Sequence, residues 1–160
     1  MNDKDSVYIA AGARTPMGGL QGSLADLTAV DLGAFAIKGA IARAGLSGDD
    51  IEETIMGCVL SSGLRQAPAR QAAMDAGIPV SSGATTINKL CGSGMKAAML
   101  AHDLIKAGTN DVMVAGGMES MTNSPYLLPK ARSGMRMGHG EIQDSMFTDG
   151  LEDAKSGQSM

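Results

Sequence analysis

Aromatic side chains and cysteines are scarce in this 160-residue sequence. It has no tryptophan, two tyrosines, two phenylalanines and two cysteines. Two cysteines are too few for the disulfide framework of a small secreted domain, so we expect a reducing, cytoplasmic setting. The formal net charge of −4 leaves no excess of Lys and Arg to bind phosphates, and we expect no nucleic-acid partner.

Long apolar runs are also missing. No run approaches the roughly 18–20 residues that span a bilayer, so we expect no membrane partner. Residues 1–5 are acidic and polar, unlike a secretory or transit signal. The sequence contains no Gly-Lys-Ser/Thr phosphate loop and no cysteines and histidines at zinc-ligand spacing. We therefore expect no bound metal.

Glycine and methionine are plentiful instead, with 22 and 13 residues respectively. So many glycines in a chain without low-complexity runs predict tight strand-to-helix turns and close backbone approaches. We expect methionine to replace aromatic side chains as the adaptable filler of the core. With 44% apolar residues, the chain is long enough to form one compact domain.

Strand and helix patterns alternate over the first 117 residues. Short apolar runs predict strands at residues 7–11, 55–60, 84–88 and 111–115. Helices are predicted over residues 27–44, 68–74 and 90–107. The first helix has Thr28 as a possible N-cap and Gly45 as its stop. This alternation predicts an α/β fold with parallel strands.

Residues 118–160 differ in character from the preceding part. Proline, glycine, methionine and charged residues are scattered through them without a sustained period. An irregular segment of this length is unusual inside a compact domain. We interpret it either as a functional loop excursion or as the start of a domain that is cut short.

The two cysteines have different surroundings. Cys58 lies inside an apolar run, which predicts a buried and chemically inert thiol. Cys91 lies where a predicted strand meets a long helix, between Leu90 and Gly92. A helix N-terminus favours a thiolate, and Gly92 and Gly94 leave room for a substrate. Position alone leaves two interpretations of Cys91 open, a nucleophile and a structural thiol.

A nucleophilic cysteine needs a base, and the two histidines do not supply one. His102 lies on the same predicted helix, roughly 16 Å along its axis from Cys91, and we expect it to be partly buried by packing. His139 lies in the irregular segment, where we expect a solvated loop position. If Cys91 is catalytic, its base therefore lies outside this chain.

A dinucleotide-binding motif offers an alternative. Residues 92–97, from Gly92 to Ala97, fit the pattern G-x-G-x-x-A between a strand and a helix. However, the preceding strand is polar, and the motif normally occupies the first strand–helix turn of its fold. A Rossmann-type NAD(P) oxidoreductase is therefore the alternative function.

Several separated motifs resemble the thiolase family, the acetyl-CoA acetyltransferases. They are the segment around Cys91, the sequence Val-Ala-Gly-Gly-Met-Glu-Ser-Met at residues 114–121, and residues 13–16, 68–73 and 149–151. They stand in the family's order over nearly the whole chain. The resemblance implies a thiolase-like α/β fold, the N-terminal half of a five-layered α-β-α-β-α body. Residues 1–117 would form the domain with the nucleophile, and residues 118–160 would begin a loop domain for CoA covering and tetramerisation.

The resemblance also implies a reaction. Cys91 would attack an acyl-CoA thioester and become acylated, and the carbanion of a second acetyl-CoA would then form acetoacetyl-CoA. Thiolysis of a 3-oxoacyl-CoA is the reverse. Coenzyme A thioesters are then substrates, and no cofactor is expected. Leu151, Ser159, Met160 and Met137 are the implied substrate-binding residues, although some relatives carry histidine in place of Ser159.

Other family motifs have no match in this sequence. They are the Gly-His-Pro histidine, the Asn-Glu-Ala-Phe segment and the Cys-x-Gly-Gly-Gly cysteine, all of which belong to the family's second half. We therefore expect the chain to be truncated, cleaved or split, and inactive without a second-half polypeptide. The resemblance also implies a homo-oligomer, a dimer or tetramer, and a role in fatty acid metabolism. A non-catalytic fragment or subunit that serves assembly is a further alternative.

Overall fold

The computed structural model describes residues 6–160, so the polar segment at residues 1–5 lies outside the described residues. The helices are α1 (Ala29–Ala44), α2 (Pro68–Asp75) and α3 (Ser93–Lys106). The strands are β1 (Glu53–Gly57), β2 (Gly83–Ile87), β3 (Met113–Gly117), β4 (Tyr126–Leu127) and β5 (Gln143–Asp144). Short 3-10 turns span Gly48–Asp50 and Met121–Asn123, and a π-helical turn spans Phe147–Leu151.

The main sheet is parallel, as predicted, with the strand order β2-β1-β3. Gly57 at the end of β1 is in register with Ile87 of β2 and Gly117 of β3. The carboxyl ends of the three strands therefore meet at one edge. In open α/β sheets this is the edge where ligands bind.

Helices cover both faces of the sheet. Met56 of β1 belongs to a buried cluster with residues of α1 and α2. The next residue, Gly57, lies against Ser93 of α3. Because successive strand residues point to opposite faces, α3 lies on the face opposite α1 and α2. The α/β fold class is confirmed.

Methionine is not the general core filler that the composition predicts. Among residues 6–160, the buried apolar side chains include two methionines, Met56 and Met118, together with small and branched aliphatic side chains. Met17, Met95 and Met137 are 79%, 74% and 97% exposed. Alanine at positions such as 69, 72 and 97 lets the helices lie so close to their neighbours that long flexible fillers are not needed.

The first helix forms as its sequence predicts. The Thr28 hydroxyl accepts a hydrogen bond from the Asp31 amide at 3.2 Å, and the Asp31 carboxylate accepts one from the Thr28 amide at 2.8 Å. These two bonds form a capping box. Gly45 ends the helix in the left-handed region at φ 70°, where glycine has no steric penalty.

The capping box gives a test of the fold. Thr28→Ala is expected to lower the free energy of unfolding by about 1 kcal/mol. The hydrogen bonds from Thr28 hold the pKa of the Asp31 carboxyl below its usual range. This stabilisation is complete above the unfolded-state pKa, about 3.9, and disappears as the pH falls through the folded-state pKa. Urea denaturation should therefore separate the two proteins clearly at pH 7 and less at pH 3; an equal separation at both would contradict the pairing.

The predicted strand at residues 7–11 is wrong. The segment is extended but belongs to neither described sheet. The side chains of Tyr8 and Ile9 are 70% and 94% exposed. An apolar run indicates a tendency to be buried, but a strand is also defined by hydrogen bonds to a neighbouring strand. In the main sheet, β1, β2 and β3 pair with one another and not with this segment.

Residues 118–160 are irregular, as predicted, but their first part packs against the α/β layer and is hydrogen-bonded to it. Met118 is buried in the core. The Ser120 hydroxyl donates to the Leu27 carbonyl oxygen at 2.9 Å, and the Asn123 amide donates to the carbonyl oxygens of Ala25 and Leu27. The division into domains 1–117 and 118–160 stays a prediction.

Within residues 6–160, no helix combines the length and apolar character needed to cross a membrane.

Candidate active site

A cavity of about 380 Å³ lies at the carboxyl edge of the parallel sheet. Three parts of the chain form its walls: the ends of β1 and β3, the start of α3, and the C-terminal segment. The lining residues are Gly57, Val59, Leu60, Leu90, Cys91, Ser93, Gly94, Gly117, Met118, Glu119, Met121, Gly150, Leu151 and Met160. Most of these side chains are apolar, which suits an uncharged organic group.

Glycines allow α3 to begin directly above the strand ends. A Cβ on Gly57 would lie 2.9 Å from the Gly94 nitrogen and would overlap Ser93. A Cβ on Gly117 would lie 3.4 Å from the Gly94 Cα. A side chain at Gly57 would therefore displace the start of α3 and move Cys91, which lies just before it, whereas a Cβ at Gly117 would make only an ordinary contact.

The turn that carries Cys91 is strained and firmly held. Leu90, immediately before the cysteine, has φ 48°, an uncommon conformation for a residue with a branched side chain. Its amide donates to the Asn88 side-chain oxygen at 2.9 Å, and its carbonyl oxygen accepts from the Ser93 hydroxyl at 2.6 Å. The Ser93 oxygen also accepts from the Lys89 amide at 2.8 Å. Strain that the surrounding contacts maintain is typical of functional sites.

Cys91 is exposed and lines the cavity. The start of α3 offers fewer free amides than a helix N-terminus usually does. The amides of Gly92 and Ser93 donate to the carbonyl oxygens of Lys89 and Leu90, at 3.1 and 2.9 Å. Because these two donors are already paired within the turn, they are not available to a developing oxyanion.

Cys58 is buried, as predicted, with 2% of its surface exposed. Burial raises the pKa of its thiol to about 12, and the nearby Glu119 carboxylate adds to the effect. The Sγ atom lies 3.6 Å from Glu119 Oε1. At neutral pH the Cys58 thiol therefore stays protonated and does not act as a nucleophile.

The two thiols should differ sharply in reactivity. We expect iodoacetamide at pH 8 to label the native chain once, at Cys91, and to label Cys58 only after unfolding. Peptide mapping by mass spectrometry identifies the site. Cys91→Ser should leave the native protein unlabelled, whereas rapid labelling of Cys58 in the folded chain would contradict the buried environment.

The histidines lie away from this cavity. His102 is not partly buried as predicted, because its side chain is 57% exposed and its Nδ1 lies 3.1 Å from Asp103 Oδ1. The buried residues of α3 are Ser93, Ala97 and Ala101, and His102 projects about 100° away from Ala101 around the helix. His139 is exposed, as expected. Neither histidine is among the residues that line the cavity.

Two of the four predicted substrate residues line the cavity with Cys91. Leu151 and Met160 do so, and the Met160 amide donates to the Leu151 carbonyl oxygen at 2.9 Å. Ser159 pairs with Glu152 in the same turn but is not among the lining residues. Met137 is 97% exposed and also lies outside the lining. The structure thus groups Leu151 and Met160 with the nucleophile position, and leaves Ser159 and Met137 apart.

The order of elements and the site agree with one family. Residues 7–160 match the family model described as thiolase, N-terminal domain. The chain belongs to the thiolase family. The N-terminal portion of a thiolase, expected from the motifs, is therefore confirmed.

Named relatives and a solved structure support this assignment. The chain is 54% identical over 153 residues to acetyl-CoA acetyltransferase 2 of Arabidopsis thaliana, covering 96% of this chain and 38% of the relative. It is 49% identical over 154 residues to acetyl-CoA acetyltransferase of Schizosaccharomyces pombe, covering 96% and 39%. The crystal structure of Acat5 thiolase from Ascaris suum in complex with coenzyme A superposes with a TM-score of 0.91, at 41% identity over 95% of this chain and 39% of that one.

The chain therefore spans about 38–39% of the length of these relatives.

The dinucleotide alternative gains no support from the fold. The strand before residues 92–97 is β2, which is at an edge of the described sheet, whereas the fingerprint follows the central first strand of a Rossmann fold. Within residues 6–160, no group of three His, Cys, Asp or Glu residues is placed to hold a metal ion.

Several lining residues were not anticipated from the sequence. Leu60, Met118 and Met121 line the cavity although no predicted site includes them. Glu119 is the clearest omission, because it is the one carboxylate among the lining residues of the described chain. A charged residue two positions after the end of an apolar strand was the signal that could have identified it.

Proposed function

We propose that this chain supplies the nucleophile of an acetyl-CoA C-acetyltransferase. Cys91 Sγ attacks the thioester carbonyl carbon of an acyl-CoA, CoA leaves as its thiol, and an acyl-cysteine forms. The carbanion of a second acetyl-CoA then attacks the acyl carbon, releases Cys91 and gives acetoacetyl-CoA. Thiolysis of a 3-oxoacyl-CoA is the same sequence in reverse.

The observation that carries this proposal is the placement of Cys91 in a thiolase fold. Its thiol is exposed in an apolar cavity at the carboxyl edge of the sheet, on a strained turn held by side-chain hydrogen bonds. A rigid turn keeps the sulfur in one position relative to a bound thioester, which lowers the entropic cost of attack. The exchange of one thioester for another is close to isoenergetic, so a cysteine suits the transfer.

The substrate is a CoA thioester. Leu151 and Met160 are proposed to contact its acyl and pantetheine part, because both line the cavity that contains Cys91. Ser159 is proposed to lie near the thioester, in the turn that it shares with Glu152. The coenzyme A complex of the Ascaris suum relative supports this substrate class.

The base and the acid are proposed to come from residues beyond this chain. Neither His102 nor His139 lines the cavity, and the chain spans about 38% of the Arabidopsis thaliana relative. A separate or continuous C-terminal polypeptide would supply these groups. Without it, the chain is expected to accept an acyl group slowly and not to turn over.

A homo-oligomer is proposed as the working form, as a dimer or tetramer in the cytoplasm with a role in fatty acid metabolism. Exposed apolar side chains between β4 and β5 support self-association, since Met135, Met137 and Ile142 are 53%, 97% and 66% exposed. Large exposed apolar patches often mark interaction surfaces. Met137 is therefore proposed to act at a subunit contact. Its role as a substrate residue, which the resemblance implies, stays a prediction.

Thiolysis of acetoacetyl-CoA tests the proposal. The chain is assayed alone and with a polypeptide that supplies the C-terminal part of a relative. We expect turnover only in the mixture. Turnover by the chain alone would contradict the missing base, and NADH binding detected by fluorescence would favour the dinucleotide alternative. Absence of turnover in a mixture that forms a stable complex would support a non-catalytic assembly subunit.

A further inference from the structure

Glu119 connects the ends of two neighbouring strands. It follows β3 after Met118, and its carboxylate accepts hydrogen bonds from the amides of Val59 and Leu60, both at 2.9 Å. These amides belong to the segment that leaves β1. Each carboxylate oxygen takes one amide, so the two peptide groups are held in a single orientation. Hydrogen bonds to an ionised acceptor are stronger than those between neutral groups.

A third donor completes the surroundings of this carboxylate. The Cys58 thiol lies 3.6 Å from Glu119 Oε1. Because the thiol is buried and stays protonated, it can donate its S–H to the carboxylate and does not compete as an anion. The three consecutive residues after β1 therefore all direct a hydrogen-bond donor at the Glu119 carboxylate: the thiol of Cys58 and the amides of Val59 and Leu60.

The contacts continue from this segment to the far wall of the cavity. Leu60 is 6% exposed, and a Cβ on Gly150 would lie 3.2 Å from its Cδ2 atom. Leu60 therefore lies against the backbone at Gly150. The next residue, Leu151, lines the cavity and accepts the amide of Met160. A shift of the Val59–Leu60 segment would move this wall.

We propose, on the basis of the proposed function, that Glu119 is a positioning residue that fixes the apolar wall formed by Leu60, Leu151 and Met160, and so sets how an acyl chain lies against Cys91. Glu119 itself forms no covalent bond with the substrate. It acts through the backbone of Val59 and Leu60. The isosteric amide of Glu119→Gln has one acceptor oxygen, so it can hold only one of the two amides.

The test compares two neutral alkylating probes on Cys91 of the full chain. The probes are iodoacetamide and N-hexyl-iodoacetamide, and the quantity measured is the ratio of their rate constants. In the wild-type protein the hexyl probe should react faster, because its chain packs against the apolar wall. Glu119→Gln should lower the ratio about fourfold, the factor expected when one methylene group loses its contacts. Glu119→Ala should lower it further.

A purely structural role of Glu119 would give a different result. Loss of stability or local opening changes access for both probes in parallel, so the individual rates would move while their ratio stayed constant. Glu141→Gln is the matched control, because it makes the same chemical change at an exposed position outside the cavity. An unchanged ratio in folded Glu119→Gln overturns the proposal.

A second variant covers the case in which Glu119→Gln does not fold. Leu60→Val shortens the wall side chain whose backbone amide Glu119 holds, and it should lower the ratio by a similar factor. An unchanged ratio in Leu60→Val would equally overturn the proposal. Acetylation of wild-type Cys91 by acetyl-CoA is measured separately. A lowered ratio without acetylation supports the role of Glu119 and contradicts the proposed function, whereas acetylation with an unchanged ratio does the reverse.

Discussion

Cys91→Ala is expected to remove acetoacetyl-CoA thiolysis from the mixture of this chain with its C-terminal counterpart. The rate should fall by at least about three orders of magnitude, because Cys91 is the one thiol among the lining residues of the described chain. The hydroxyl group there, that of Ser93, already donates to the Leu90 carbonyl oxygen. Cys91→Ser should be almost as inactive, since a neutral hydroxyl is a much weaker nucleophile than a thiolate. The measurement is the decrease in acetoacetyl-CoA under saturating CoA.

Ser133→Ala is the control for this loss. Ser133 is exposed, lies outside the cavity and donates only to the Lys130 carbonyl oxygen among the hydrogen bonds of the described chain. Its activity should equal that of the wild-type protein. Activity retained in Cys91→Ala would remove Cys91 from the chemistry and leave the proposed mechanism without a nucleophile.

Gly57→Ala is expected to destabilise the fold by about 3 kcal/mol, the upper part of the range for an overpacked core. The new methyl group would overlap Ser93 and lie 2.9 Å from the Gly94 nitrogen, so α3 would have to move away from β1. Backbone atoms cannot rotate aside as the end of a flexible side chain can. Thermal or urea denaturation measures the loss.

Gly12→Ala is the matched control for this prediction. A Cβ on Gly12 meets no atom within 4 Å, and its φ is not in the left-handed region. Its free energy of unfolding should change by less than about 0.5 kcal/mol. Equal effects of the two substitutions would contradict the close approach of α3 to the strand ends.

Local signals in the sequence predicted local structure well. The helix α1 begins after Thr28 and ends before Gly45, because both caps depend on residues that are adjacent in the chain. Gly92 and Gly94 likewise indicated an open approach to Cys91, and Cys91 is exposed in the structure. Parallel pairing followed from the alternation of strands and helices.

Features that depend on distant residues were not predictable in the same way. The apolar run at residues 7–11 has the composition of a strand but belongs to neither described sheet. His102 was expected to be packed, yet the orientation of α3 on the sheet exposes it. Which side of a helix packs against the sheet depends on tertiary contacts, and a single sequence does not determine these.

The candidate site was predicted in part. The nucleophile position and the approach of Leu151 and Met160 came from motifs, whereas the role of Glu119 depends on a separation of 60 residues from Val59. No spacing rule connects a residue after β3 with amides after β1. Only the adjacency of those strands in the sheet brings them together.

Intact-mass measurement after incubation with acetyl-CoA tests the central claim most directly. The wild-type chain should gain the mass of one acetyl group, and peptide mapping should place that group on Cys91 alone. The adduct should be lost on treatment with hydroxylamine, as a thioester is, and should not form in Cys91→Ser. Acetylation that persists in Cys91→Ser, or an adduct on another residue of the wild-type chain, would contradict the account.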